Sequence, residues 1–296
     1  MTNSILTYAR IAKDVYETDS KSPAHYRRLH GLAAARPVVA AAYYRHHTDP
    51  IVIAFRGSVT KGDWGKADAD IAQGSIPVDY VGAAFDFLGR VITSGHLVGM
   101  KAHRRHVVVV GHSLGGALAA IVAARITTRP AAGVTFNAPR FEALLHCGRY
   151  VEPAASDQAD GTPLDLLKGL GASKVGQLVD KVVGVGGASL AIPRSNDRNL
   201  WHIRLAVSGV EDRISAWPAS TWNTHLIRLD RSKVVQPLRL PGNTVPVLGA
   251  LVRSAEDVGL VRKLELAGEA HFMTNVLAAL EQADNGAVAH LRPCGW

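Results

Sequence analysis

The sequence predicts an α/β fold: a mostly parallel central sheet with helices on both faces. Three observations carry this. Val107-Val108-Val109-Val110 is a short, wholly apolar run of the kind buried on both sides in a parallel sheet. The stretch 81–91 before it has apolar residues at helical intervals. After it, a helix of mostly small residues over 117–126 leads to another β-rich run at 134–136. Strand, crossover helix and strand repeated in this way imply parallel neighbours in one sheet.

The remaining elements fit around that unit. Ile5, Tyr8, Ala9, Ala12, Val15 and Tyr16 recur at helical spacing and predict an opening amphipathic helix. The β-rich runs 38–44 and 51–55 flank the turn signal Asp49-Pro50 and read as adjacent strands. Further strands are expected at 203–207 and 226–229. A last helix over 272–280 would bury Phe272, Val276, Leu277 and Leu280. Between Pro153 and Asn199 the rhythm breaks into a segment rich in Gly, Ser and Asp, expected as an insertion or lid on a single domain spanning 1–296. Within it Val175, Leu178, Val179, Val182 and Val183 predict one amphipathic helix.

Composition narrows the function classes. Hydrophobic residues make up 47% and charged residues 20%, the balance of a globular chain. The start lacks the pattern of a signal peptide, and no apolar run is long enough for a spanning helix. A soluble protein is expected, cytoplasmic or exported by a route independent of a signal peptide. Cys147 and Cys294 are the only cysteines, too few for a disulfide framework and wrongly spaced for zinc. The net charge of +8 would draw anionic partners, acidic lipid surfaces among them. No zinc-finger or RRM-type motif accompanies the basic run Lys101-Ala102-His103-Arg104-Arg105-His106, which reads as a solvated loop, so nucleic-acid binding is not expected. No metal or other cofactor is implied.

Gly111-His112-Ser113-Leu114-Gly115 matches G-x-S-x-G, the nucleophile elbow of α/β-hydrolase sheets, with a strand running in and a helix running out. Glycines suit such a turn because side chains there would clash with the crossing backbones. The oxyanion formed on attack of a carbonyl needs preorganised N–H donors, and one comes from the residue after the nucleophile, Leu114.

Three blocks make the sequence recognisable. Ile53-Ala54-Phe55-Arg56-Gly57-Ser58 with Asp63-Trp64, then Gly111-His112-Ser113-Leu114-Gly115-Gly116-Ala117-Leu118-Ala119, then Thr135-Phe136-Asn137-Ala138-Pro139-Arg140 resemble the class 3 lipase family, in that family's order. The resemblance covers residues 35–142 and thins beyond. It implies an α/β-hydrolase fold and a lipid ester substrate, acylglycerol or phospholipid, and it implies the backbone N–H of Ser58 as the second oxyanion donor.

A serine hydroxyl needs a histidine to take its proton, and the histidine needs a carboxylate to fix its tautomer. The acid is expected at Asp212, in the loop after strand 203–207, with Glu211 as its rival. The family carries its triad aspartate in a similar loop, commonly followed by proline and valine, where this chain has Arg213-Ile214. Of the histidines after it, His271 resembles the histidine-x-methionine start of the family's terminal helix. His225 is the alternative. The expected reaction is acyl transfer through Ser113, Asp212 and His271. A thioesterase, acyltransferase or peptidase on the same fold, and a non-catalytic binding module, are the competing readings.

Overall fold

The four valines at 107–110 are fully buried, and alternate ones enter different cores. Val107 and Val109 pack with Phe87, Leu88, Leu118 and Val122 on one face. Val108 and Val110 pack with Ile5, Tyr8, Ile11 and Val276 on the other. Burying a valine side chain is worth about 1.5–3 kcal/mol, so this strand alone binds both helical layers to the sheet.

The computed structural model describes residues 4–17, 23–29, 34, 37–46, 49–58, 78–93, 106–126, 131–139, 199–211, 223–237, 266 and 269–293. Within them the strands are β1 (Arg27–Arg28), β2 (Ala40–Tyr44), β3 (Ile51–Phe55), β4 (Val107–His112), β5 (Ala131–Phe136), β6 (Leu200–Val207), β7 (Val210–Glu211) and β8 (Asn223–Leu229). They form one sheet ordered β1-β2-β3-β4-β5-β6-β7, with β8 also paired to β6. Strands β3, β4, β5, β6 and β8 run parallel to one another, whereas β1, β2 and β7 pair antiparallel.

Helices α2 (Val78–Thr93) and α3 (Leu114–Arg125) cover one face. Helices α1 (Ile5–Asp14) and α4 (Met273–Leu280) cover the other, where the short α5 (Gly286–Ala289) adds Ala289 to the same core. Every strand and helix expected within these residues is present, most of them longer than the pattern alone shows. Helix α3 begins at Leu114 rather than at 117, because Gly115-Gly116 weakens the helical signal just where the chain must pass close to its neighbours.

Two strands go beyond the sequence reading. Residues 208–214 are expected as a loop, yet Val210–Glu211 folds back on Ala206 and Val207 as β7. The turn is Ser208-Gly209, both at positive φ. Strand β1 is two arginines, which carry no apolar alternation. The segment 153–198 with its expected helix, Asp63-Trp64, Cys147, Cys294 and Asp212 lie outside the described residues. Among the described residues no helix is long and apolar enough to cross a membrane.

Candidate active site

Strand β4 delivers the chain to Ser113 at the carboxyl end of the sheet, where ligands of open α/β sheets gather. Ser113 has φ 55° and ψ −129°, a conformation costly for a residue with a side chain. Its N–H is held by the Phe136 carbonyl at 3.0 Å, and its own carbonyl accepts from Gly116 and Ala117 in the first turn of α3. The turn closes only because Gly111 and Gly115 lack side chains. A Cβ on Gly111 would enter the Gly115 carbonyl, and one on Gly115 would enter the Phe55 carbonyl. The elbow is thus clamped between β3 and α3, leaving Ser113 9% exposed.

The amides that open a helix have no intrahelical acceptor and carry the positive end of its dipole. Leu114 is the first residue of α3, directly after Ser113. Facing it is the end of β3, where Gly57 comes so near that a Cβ there would lie 3.1 Å from the Ser113 Cβ and 2.6 Å from the His112 carbonyl. Ser58 is next in the chain and half-buried.

From the opposite layer, His271 places Nε2 2.9 Å from Ser113 Oγ. Its backbone is tied down just before α4. Asn275 Nδ2 donates to the Glu269 carbonyl at 2.8 Å, and Asn137 Nδ2 donates to the Ala270 carbonyl at 2.6 Å. Both asparagines are fully buried. Asn137 lies in the third recognisable block, but the sequence alone assigns it no role. Its positive φ, tolerated by asparagine, is the signal that composition hides.

The alternatives fall elsewhere. His225 stacks on Trp201 with centroids 5.5 Å apart and planes 9° from parallel, and burial pushes its pKa below the usual value. The register His112↔Phe136, Phe136↔Ile203, Ile203↔His225 sets it three strands from the elbow. That is roughly 14 Å at about 4.8 Å per strand. The Glu211 carboxylate is paired with Arg204 across the β6–β7 hairpin. Glu211 is also the last described residue before Asp212. Among the described residues no cluster of His, Cys, Asp or Glu could hold a metal ion.

A mostly parallel sheet, helices on both faces and a strained serine between β4 and α3 define an α/β-hydrolase fold. Residues 7–146 match the model of a phospholipase-like family, described as a Tle-like phospholipase domain. This match agrees with the lipase-like resemblance of the three sequence blocks. Among solved structures, the Lip2 lipase from Yarrowia lipolytica is similar at 14% identity, with 80% of each chain covered and a TM-score of 0.42. Rhizomucor miehei lipase in its propeptide complex is similar at 21% identity over 46% of this chain and 52% of that one, with a TM-score of 0.31. No curated protein matches the sequence.

Proposed function

We propose that this chain is a serine hydrolase of lipid carboxyl esters, working as one 296-residue domain through Ser113, His271 and Asp212. The observation that carries the reading is the 2.9 Å approach of His271 Nε2 to the Oγ of a serine strained at a strand-to-helix turn. His271 takes the Ser113 proton as Oγ attacks the ester carbonyl. The backbone N–H groups of Leu114 and Ser58 bind the oxyanion, and His271 returns the proton to the departing alkoxide. Water, deprotonated by the same histidine, then releases the acid from the acyl-enzyme. Asp212 holds the His271 ring by Nδ1–H and balances its transient charge.

The phospholipase-like match supports a lipid substrate, and the +8 charge favours an anionic lipid surface. Soluble p-nitrophenyl esters and vesicles of defined phospholipids, offered to wild type and Ser113→Ala, test the reading, with fluorophosphonate labelling of Ser113 alongside. Hydrolysis abolished in the variant and one labelled serine are expected. A wild type inert on every ester and unlabelled would leave a binding module instead.

A further inference from the structure

Four groups in distant parts of the chain are joined by one line of hydrogen bonds. Gly57 N–H donates to Tyr16 Oη at 2.9 Å. Tyr16 Oη lies 3.0 Å from His112 Nδ1, and His112 Nε2 lies 2.6 Å from the His271 carbonyl. A carbonyl only accepts, so Nε2 carries the proton. In a neutral imidazole Nδ1 is then the acceptor, and the Tyr16 hydroxyl must donate to it. The line therefore has one sense: Gly57 N–H to Tyr16 O–H to His112 Nδ1, and His112 Nε2–H to the His271 carbonyl.

We propose that Tyr16 and His112 are positioning residues, which hold the oxyanion loop at Gly57-Ser58 and the backbone of His271 in fixed relation across the nucleophile elbow. Its consequence rests on the hydrolase reading; its geometry does not. Each end is built for the task. Tyr16 follows α1 in a tight turn, its N–H on the Lys13 carbonyl. Two residues earlier Asp14, buried, accepts from the buried Tyr43 phenol at 2.6 Å and pins the helix end to β2. Gly57 must be glycine, since a Cβ would lie 2.6 Å from the His112 backbone carbonyl as well as 2.5 Å from Tyr16 Oη. The His112 ring also packs on that of His271, centroids 5.0 Å apart.

Fixing the Gly57 N–H orients the chain just before Ser58, so its amide meets the oxyanion without reorganising, the condition under which such donors act most strongly. Fixing the His271 carbonyl limits the tilt of its ring over Ser113. A ring flip of His112 would break both ends together, whereas the other tautomer would lose the His271 carbonyl and turn the Tyr16 bond round, Nδ1–H donating to Oη.

Tyr16→Phe removes one hydroxyl and keeps the ring. It should lower kcat on a soluble ester about tenfold with KM within about twofold, since one hydrogen bond acting on the transition state is worth roughly that factor. His112→Phe should fall at least as far. The double variant should fall no further than His112→Phe, because both residues act through one line. His112→Gln, which keeps a donor and an acceptor, should recover part of the loss. Nitrogen-15 NMR of the full chain should show His112 protonated at Nε2, and Tyr16→Phe should move the Gly57 amide resonance. Multiplicative losses in the double variant, or His112 protonated at Nδ1 alone, would overturn the proposal. The NMR readings need no turnover, so a protein inert on every ester sinks the hydrolase reading separately, while the line stands or falls on the tautomer.

Discussion

Asn137 and Ala270 are 133 residues apart in the chain, yet the Asn137 amide donates to the Ala270 carbonyl at 2.6 Å while its Oδ1 takes the Leu205 N–H at 2.9 Å. One side chain thus joins the end of β5, strand β6 and the segment bearing His271. Asn137→Asp keeps the acceptor for Leu205 but sets a carboxylate oxygen against a carbonyl. It should destabilise the fold by a few kcal/mol, since each buried polar group left unpaired costs about 1–3 kcal/mol. It should also depress ester hydrolysis more than stability alone explains. Urea unfolding and turnover measured on the same preparation check both; an unchanged midpoint would remove the joint role.

Two glycine-to-alanine changes in helices should differ in sign. At Gly82 in α2 an added Cβ would meet nothing within 4 Å, so Gly82→Ala should stabilise by roughly 0.5–1 kcal/mol through helix propensity. Gly115→Ala gains the same propensity but drives its methyl into the Phe55 carbonyl, and the clash should win. A melting temperature raised in the first and lowered by several degrees in the second is expected. Equal shifts would mean the elbow is looser than described.

The acid of the proposed triad is tested by ranking two neighbours. Asp212→Asn should cost on the order of 10³ to 10⁴ in kcat by favouring the wrong His271 tautomer. Glu211→Gln removes only the half-exposed pair with Arg204, so turnover should stay within a few-fold and stability within about 1 kcal/mol. The opposite ranking would transfer the acid to Glu211.

Among the described residues, acid sensitivity has two located sources, His225 and His106. Burial lowers the His225 pKa below its ordinary 6.5, so as pH falls through that value the unfolded chain binds a proton before the folded one does. Stability is therefore fully present above about pH 6.5 and declines below it, until the folded pKa is passed. His106 is shifted the same way by burial. His225→Phe keeps a ring against Trp201 and should reduce the drop in urea midpoint between pH 7 and pH 5. A drop as large as in wild type would place the sensitivity elsewhere.

The sheet and its helices are legible in the sequence because each rests on a repeating pattern: four valines, an apolar stripe on α2, β-rich runs at 51–55 and 203–207. The elbow is legible because steric demand fixes glycine at Gly111 and Gly115 beside the serine. What joins these parts is not. Tyr16, Asn137 and Asn275 act through side-chain polar atoms that bridge groups the fold brings together, and a single polar residue leaves no period to detect. Strand β7 is hidden for a related reason, since two residues after a Ser-Gly turn are too few to alternate.

The separation of Ser113 from His271 sets an order of events during synthesis. The elbow, its two flanking strands and α3 are made from residues 51–136, while the histidine that meets Ser113 comes 158 positions later. At about 5–20 residues per second, a ribosome takes roughly 8–30 s to cover that distance. Helix α1, made before the elbow, waits longer still for α4, and Ile5 N–H finally donates to the carbonyl of Leu291 beyond it at 3.0 Å. On the proposed mechanism a nascent chain passes this interval with its nucleophile turn encoded and no base to activate it, so hydrolysis is withheld from every truncated product that stops short of residue 271.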